Sequence, residues 1–354
     1  MNYTHGGDIW TAEAGGAGGG GASPLLDFSA NISPLGLPAA AAGALRAAVG
    51  DSSLCAYPDA FSRALTEKLA EKHGVPQASI VCGNGAADLI FRLCLWRRPG
   101  RVLLAAPGFS EYARAAALAG AGVSWYDLAP PAFRTGEDIL AHITEGTDML
   151  FLTNPNNPTG LLTDRALLLR IAERCEATGT LFVVDECFIE FTDAAPLDDA
   201  LAAYPHLVLL HAFTKFYAMA GLRLGYILAA DAAVCEGVFA TGQPWPVSTP
   251  AQVAGLAALS DKAYGERLCA LIKKERVKLK SGLERLGFAV WDGAANYLLF
   301  QKTGLLDLKE RLLGRGILIR SCANFRGLDA SYYRACVRLP EENGRLLAAL
   351  EEVS

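Results

Sequence analysis

Three short segments of this chain hold side chains with complementary chemistry. Lys215 lies in Thr214-Lys-Phe-Tyr-Ala-Met-Ala-Gly-Leu-Arg223, Asp185 ends the apolar run Leu-Phe-Val-Val-Asp, and Asn157 sits in Asn154-Pro-Asn-Asn-Pro-Thr-Gly160. A lysine amine forms an imine with an aldehyde, and desolvation makes it a better nucleophile by lowering its pKa. An aspartate beside a pyridine nitrogen favours the protonated ring, because an opposite charge at contact distance moves a pKa by about 1–3 units. An arginine grips a phosphate through parallel donors. Arg223 follows Lys215 closely enough for it and Thr214 to reach one anion together.

Other residues extend this set. Gly83-Asn-Gly85-Ala86-Ala87-Asp88 follows a short apolar run and opens a helical pattern. Free backbone N–H groups at a helix start suit a phosphate. The helix dipole contributes only about 0.3–1 kcal/mol at exposed sites, so Arg223 is expected to supply more of the anion binding. A dinucleotide fingerprint is the competing reading, but Asp88 stands where its third glycine belongs, and no ribose-binding acid ends the next strand. Phe109, in Pro-Gly-Phe-Ser-Glu-Tyr, can lie flat on an aromatic ring. Tyr57, in Ala-Tyr-Pro-Asp, can donate to a phosphate. Taken singly, each segment reads equally well as a turn, a cap or a core aromatic. Their order along the chain gives them joint meaning.

These residues need a frame. Short apolar runs at 101–105, 123–128, 149–153, 181–185, 207–211 and 225–229 alternate with helical periods such as 164–177, where Thr163 or Asp164 is the N-cap and Gly179 the stop. Strand–helix–strand repetition predicts an α/β fold with a mostly parallel sheet covered on both faces. Asp185 and Asn157 then fall at or just beyond carboxyl ends of strands, where open α/β sheets bind ligands. From about 245 the pattern changes. A helical stretch over 250–286 precedes a strand at 297–300, a helix at 305–313, strands at 317–320 and 333–339, and a terminal helix from 341. The expected division is an N-terminal arm at 1–44 packing near the active site, a large domain at 45–245 and a small α+β domain at 246–354.

Composition bounds the function. The 354 residues are enough for about two domains. The net charge is −5 with no basic block, which argues against nucleic acid or an anionic membrane as partner. No apolar run reaches bilayer length and no secretory leader is visible. Nine cysteines without a CxxC pair read as reduced thiols in a cytoplasmic protein, and no zinc site is expected from their spacing. The glycine run at 15–21 reads as a loop.

Together, and across almost the whole chain, these motifs resemble the fold-type I pyridoxal-phosphate enzymes of the histidinol-phosphate aminotransferase group. His5-Gly-Gly7, Asp27-Phe-Ser-Ala-Asn31-Ile-Ser-Pro-Leu-Gly36, Gly83 to Asp88 and Ile319-Arg320-Ser-Cys-Ala-Asn-Phe-Arg326 are similar to the threonine-phosphate decarboxylase branch of that group, which serves cobalamin biosynthesis. The resemblance implies roles. Lys215 would bind pyridoxal 5'-phosphate covalently, Asp185 would face its ring nitrogen and Asn157 its 3-oxygen. Phe109 would stack on the ring. Gly85, Ala86, Ala87, Thr214 and Arg223 would hold its phosphate, with Tyr57 arriving from the second subunit of a homodimer. Arg338 would grip the α-carboxylate of a small phosphorylated amino acid, while His5, Asn31 and Arg320 would surround its phosphate. Arg326 is a candidate further anion anchor, with a surface arginine as the competing reading.

Two departures stand out. Phe188 occupies a position where many relatives carry a tyrosine that helps hold the 3-oxygen. The glycine run argues against the helix that often follows His-Gly-Gly. The resemblance implies decarboxylation of L-threonine O-3-phosphate. An aminotransferase acting on histidinol phosphate and a decarboxylase of L-serine O-phosphate remain as alternatives. A cofactor-binding regulator would need a DNA-binding module that the first 45 or so residues do not provide.

Overall fold

The inner strands are mostly apolar and buried along their whole lengths, so the sheet they form must be covered on both faces. The computed structural model, which describes residues 5–14, 25–50 and 52–354, shows how that is achieved. Seven strands run side by side in the order Ile80–Gly83, Gly225–Ala229, Leu207–Ala212, Leu181–Asp185, Met149–Thr153, Arg101–Ala106 and Gly122–Asp127. All pairings are parallel except the two made by Gly225–Ala229, which runs against both neighbours. Side chains alternate between two buried clusters. Leu181 and Val183 pack on one face with the helices Gly85–Arg97 and Ser110–Leu118. Phe182 and Val184 pack on the other, in a core that continues under the C-terminal sheet.

Capping explains several boundaries. The Asp164 side chain accepts from Ala166 and Leu167 N–H, and Gly179 closes the helix Arg165–Thr178 in a left-handed conformation. The single helix expected over 250–286 is two, Thr249–Leu259 and Lys262–Arg285. Asp261 breaks it by turning its carboxylate onto Tyr264 N–H and starting a new helix.

The C-terminal region builds a four-stranded antiparallel sheet in the order Arg320–Ser321, Tyr332–Cys336, Tyr297–Gln301 and Ala289–Val290. The strand expected over 317–320 divides. Ile317–Leu318 pairs in parallel with Leu26–Asp27, whereas Arg320–Ser321 pairs with Tyr333 and Arg334. This change of partner stitches the N-terminal segment to the second sheet, and Cys336 N–H donates to Phe28 O at 2.8 Å. A helix, Ile9–Ala14, does follow His-Gly-Gly, contrary to expectation. It ends before the glycine run, whose residues 15–21 lie outside the described residues. Among the described residues, no helix is long and apolar enough to cross a membrane.

Candidate active site

The carboxyl ends of the parallel strands meet the N-terminal segment and the second sheet around a cleft of about 600 Å³. Asp185 lies at its floor. Register places it beside Thr153 on the neighbouring strand. Its carboxylate is 6% exposed and held from two sides: Tyr112 donates its hydroxyl at 2.5 Å and Cys187 its backbone N–H at 3.0 Å. Thr153 lies 2.9 Å from the Tyr112 oxygen. Burial pushes the Asp185 carboxyl above its usual range, while these donors and the Lys215 charge act in the opposite direction. A cation above this carboxylate would therefore be strongly favoured.

Lys215 sits on the single turn Phe213–Phe216, directly after the strand Leu207–Ala212. Its Nζ donates to Ala30 O at 2.6 Å. Burial, reinforced by the Arg334 charge, brings its pKa down to about 8. Asn157 faces the same space, and its Oδ1 accepts from Arg334. The turn carrying it is pinned by Tyr297, which donates its hydroxyl to Asn156 O at 2.8 Å. Phe109 lines the cleft edge-on to Tyr112, with ring centroids 5.6 Å apart. Phe188 also lines it and presents no hydroxyl.

At one end, Ala86, Ala87, Thr214 and Arg223 line a corner over the start of the helix Gly85–Arg97. Gly85 has φ +82°, and a Cβ there would lie 2.5 Å from Arg223 Nη2. A Cβ on Gly225 would lie 2.6 Å from Ala86 N. Only glycine lets these backbones and the guanidinium come so close. Ala218 and Arg223 both adopt left-handed backbone conformations, which cost non-glycine residues about 1–3 kcal/mol each.

At the other end stand His5, Asn31 and Arg320. His5 Nε2 is 2.9 Å from Glu111, and Arg320 Nη2 donates to Asn324 at 2.7 Å. Asn31 is 1% exposed.

Three sequence-predicted residues lie elsewhere. Arg338 does not reach the cleft: it falls beyond the end of Tyr332–Cys336, donates to Asp27 O at 3.0 Å and pairs with Glu342 at 2.7 Å. Arg334 lines the cleft instead, donating to Asn157 and to Ser29 O. Arg326 pairs with Asp127 over the Trp125 ring, away from the cleft. Tyr57 is 77% exposed and stacks on Trp245, outside the cleft of its own chain. Arg334 and Tyr112 are the residues that sequence reasoning missed. Spacing marks Tyr112 only as an aromatic one helical turn after Phe109, not as a donor to Asp185.

The profile of the family described as Aminotransferase class I and II matches residues 23–350. The threonine-phosphate decarboxylase of Salmonella typhimurium is 40% identical over 100% of this chain and 97% of its own length. The histidinol-phosphate aminotransferase of Symbiobacterium thermophilum is 36% identical over 94% of this chain and 91% of its own. The crystal structure of L-threonine-O-3-phosphate decarboxylase from Porphyromonas gingivalis superposes with a TM-score of 0.82 at 27% identity, covering 93% of this chain and 99% of that one. With its fold, its lysine-centred cleft and these full-length similarities, the chain belongs to the aminotransferase class I and II family.

Proposed function

We propose that this enzyme binds pyridoxal 5'-phosphate in the cleft and converts L-threonine O-3-phosphate to (R)-1-amino-2-propanol O-2-phosphate and CO2, a step of cobalamin biosynthesis. The observation that carries this reading is the placement of Arg223, Arg320 and Arg334 around one amine of lowered pKa, a fourth cleft arginine, Arg114, being paired with Glu111. Arg223 sits at the glycine-lined corner, and the other two are left for a short substrate with two anionic groups. The full-length similarity to a threonine-phosphate decarboxylase favours that substrate.

The residues present fit the cofactor. The corner at Gly85, Ala86, Ala87, Thr214 and Arg223 would take its phosphate, Asp185 its ring nitrogen, the Asn157 amide its 3-oxygen and Phe109 its ring face. Because Arg334 occupies Asn157 Oδ1, the Asn157 NH2 group is the donor left to face the cofactor. When bound, pyridoxal phosphate supplies a sink for the electron pair left on the substrate's α-carbon.

The protein does the rest. Arg334 holds the α-carboxylate, the role that its neighbour Arg338 cannot fill, and His5, Asn31 and Arg320 hold the phosphate. Each charged hydrogen bond contributes about 1.5–3 kcal/mol. These anchors decide which α-carbon bond breaks. Loss of CO2 leaves an electron pair on that carbon, and the Lys215 ε-ammonium is the group we assign to return a proton there. We further propose a homodimer in which Tyr57 completes the partner's cofactor site, supported by its exposure and its absence from the lining of its own cleft. Nine free cysteines fit a reducing, cytoplasmic location.

The second reading, a histidinol-phosphate aminotransferase, is favoured by the 36% identity to such an enzyme. Incubating the holoenzyme with threonine phosphate and no keto acid separates the two. CO2 release is expected, and product formed only on addition of 2-oxoglutarate would reverse the assignment. Serine phosphate belongs in the same assay, since one methyl group is worth only about 1–3 kcal/mol in a pocket.

A further inference from the structure

A second group of ionisable side chains, none of which lines the cleft, lies beneath the strands that carry Asp185 and Lys215. His73 ends the helix Arg63–His73, and Glu186 directly follows the strand Leu181–Asp185. Asp198 opens the turn Asp198–Ala203, and His211 lies within Leu207–Ala212. Among the described residues, His73, Asp198 and His211 bring one ligand atom each within 4.8 Å of one another. Glu186 Oε2 lies 3.5 Å from His211 Nε2.

Two observations go beyond clustering. Glu186 and His211 are 1% and 3% exposed, yet Glu186 Oε2 and His211 Nε2 make no hydrogen bond, and neither does the buried Asp198 Oδ1. Buried polar atoms are nearly always partnered; here Glu186 Oε2 and His211 Nε2 face only each other at 3.5 Å and Asp198 Oδ1 has no hydrogen bond, which points to a missing ligand. Secondly, the surroundings prepare the histidines for a metal. Tyr226 lies 2.8 Å from His73 Nε2, leaving Nδ1 directed at Asp198 2.8 Å away, and its ring stacks on His211. Metal-bound histidines characteristically have their second nitrogen held in this way. Burial, with the charges of His73 and Lys72, keeps His211 well below its ordinary pKa and hence in the neutral, ligating form.

We propose that His73, Glu186, Asp198 and His211 form a binding site for a divalent transition-metal ion, with Zn²⁺ the best match, and that Tyr226 orients it. Two imidazoles and two carboxylates suit tetrahedral zinc, whose ligand atoms stand about 3.4 Å apart for bonds near 2.1 Å. Calcium and magnesium prefer six or more oxygens. The His211–Glu186 separation of 3.5 Å is already at zinc spacing, His73 and Asp198, now 2.8 Å apart, would part slightly to admit the ion, and Glu186, outside the 4.8 Å trio, would join it from beside His211. Binding displaces the proton held by Glu186 to solvent. The ion would clip the helix and the turn to the two strands that position the catalytic residues. Sequence spacing gives no hint of it, because the four ligands come from four separate elements.

The test is to strip the holoenzyme with a chelator, dialyse it against micromolar ZnCl2, measure retained zinc by elemental analysis and follow thermal unfolding. About one zinc per chain is expected, with a higher melting temperature. Glu186→Gln and His211→Phe should each weaken zinc binding at least tenfold and abolish the thermal shift, and Tyr226→Phe should weaken it about 10–100-fold. Absence of zinc from the wild-type protein would overturn the proposal. So would undiminished zinc in Glu186→Gln, a near-isosteric change that carries the test if His211→Phe fails to fold, since Glu186 would then not be a ligand.

Discussion

Arg334 and Arg338 are separated by four positions, and an extended strand would place both on one face. Sequence pattern therefore could not choose between them. The choice is made by where the strand ends: Cys336 is its last residue, so Arg338 swings to Glu342 at the start of the terminal helix. We expect Arg334→Ala to weaken substrate binding by a hundredfold or so, about 2.7 kcal/mol, and Arg338→Ala to act mainly on stability, as read from KM and unfolding midpoints. Lys215 gives a second, independent readout. With a pKa of about 8 instead of 10.5, the fraction of neutral amine below pH 8 is roughly 300-fold higher. Recombination of apoenzyme with pyridoxal phosphate should accelerate as pH rises towards 8 and level off above it. Removing the Arg334 charge should move that midpoint upward, whereas Arg338→Ala should leave it in place. Tyr112→Phe keeps the ring stacked on Phe151 but removes a donor to Asp185. Cofactor affinity should drop by about 1.5–3 kcal/mol, measured by titration of the visible cofactor band. Lys215, Asp185 and Asn157 were legible because residues at strand ends are marked by the apolar runs before them. Tyr112 was not, because a tyrosine on an amphipathic helix looks like core until its hydroxyl is seen against a carboxylate.

At the scale of elements, the central strands were readable to within a residue or two, since fully apolar runs of five or six have few other fates. Reading failed where a polar residue or a tertiary partner decided the outcome. Asp261 cut one helix into two, and the pairing partner changed between Leu318 and Arg320. The close approach at Gly225 was equally invisible, because it depends on the backbone of another strand–helix junction. Gly225→Ala should force that junction apart and lower cofactor affinity at least tenfold, about 1.4 kcal/mol. Equilibrium dialysis would detect it, and normal affinity would show that the corner is softer than its contacts indicate.

Over the whole molecule, the cleft is assembled from distant parts of the chain. The N-terminal segment is fastened to the C-terminal region through the pairing of Leu26–Asp27 with Ile317–Leu318, and His5 reaches the cleft from beyond that anchor. Deleting residues 1–24 should leave the unfolding midpoint nearly unchanged while raising KM for the phosphorylated substrate, because the anchor stays and His5 is lost. A large fall in stability would instead make this arm part of the core.

One reversed strand has a consequence for how this protein can vary. Because Gly225–Ala229 runs against its neighbours, the chain doubles back after Lys215 and delivers Arg223 to the same edge of the sheet. The link between them works as a ruler, and its two left-handed residues leave no slack. An extra amino acid at most surface loops would bulge harmlessly into water. Here it would turn the arginine away from its corner, so libraries of length variants should tolerate insertions almost anywhere on this edge except between those two cations.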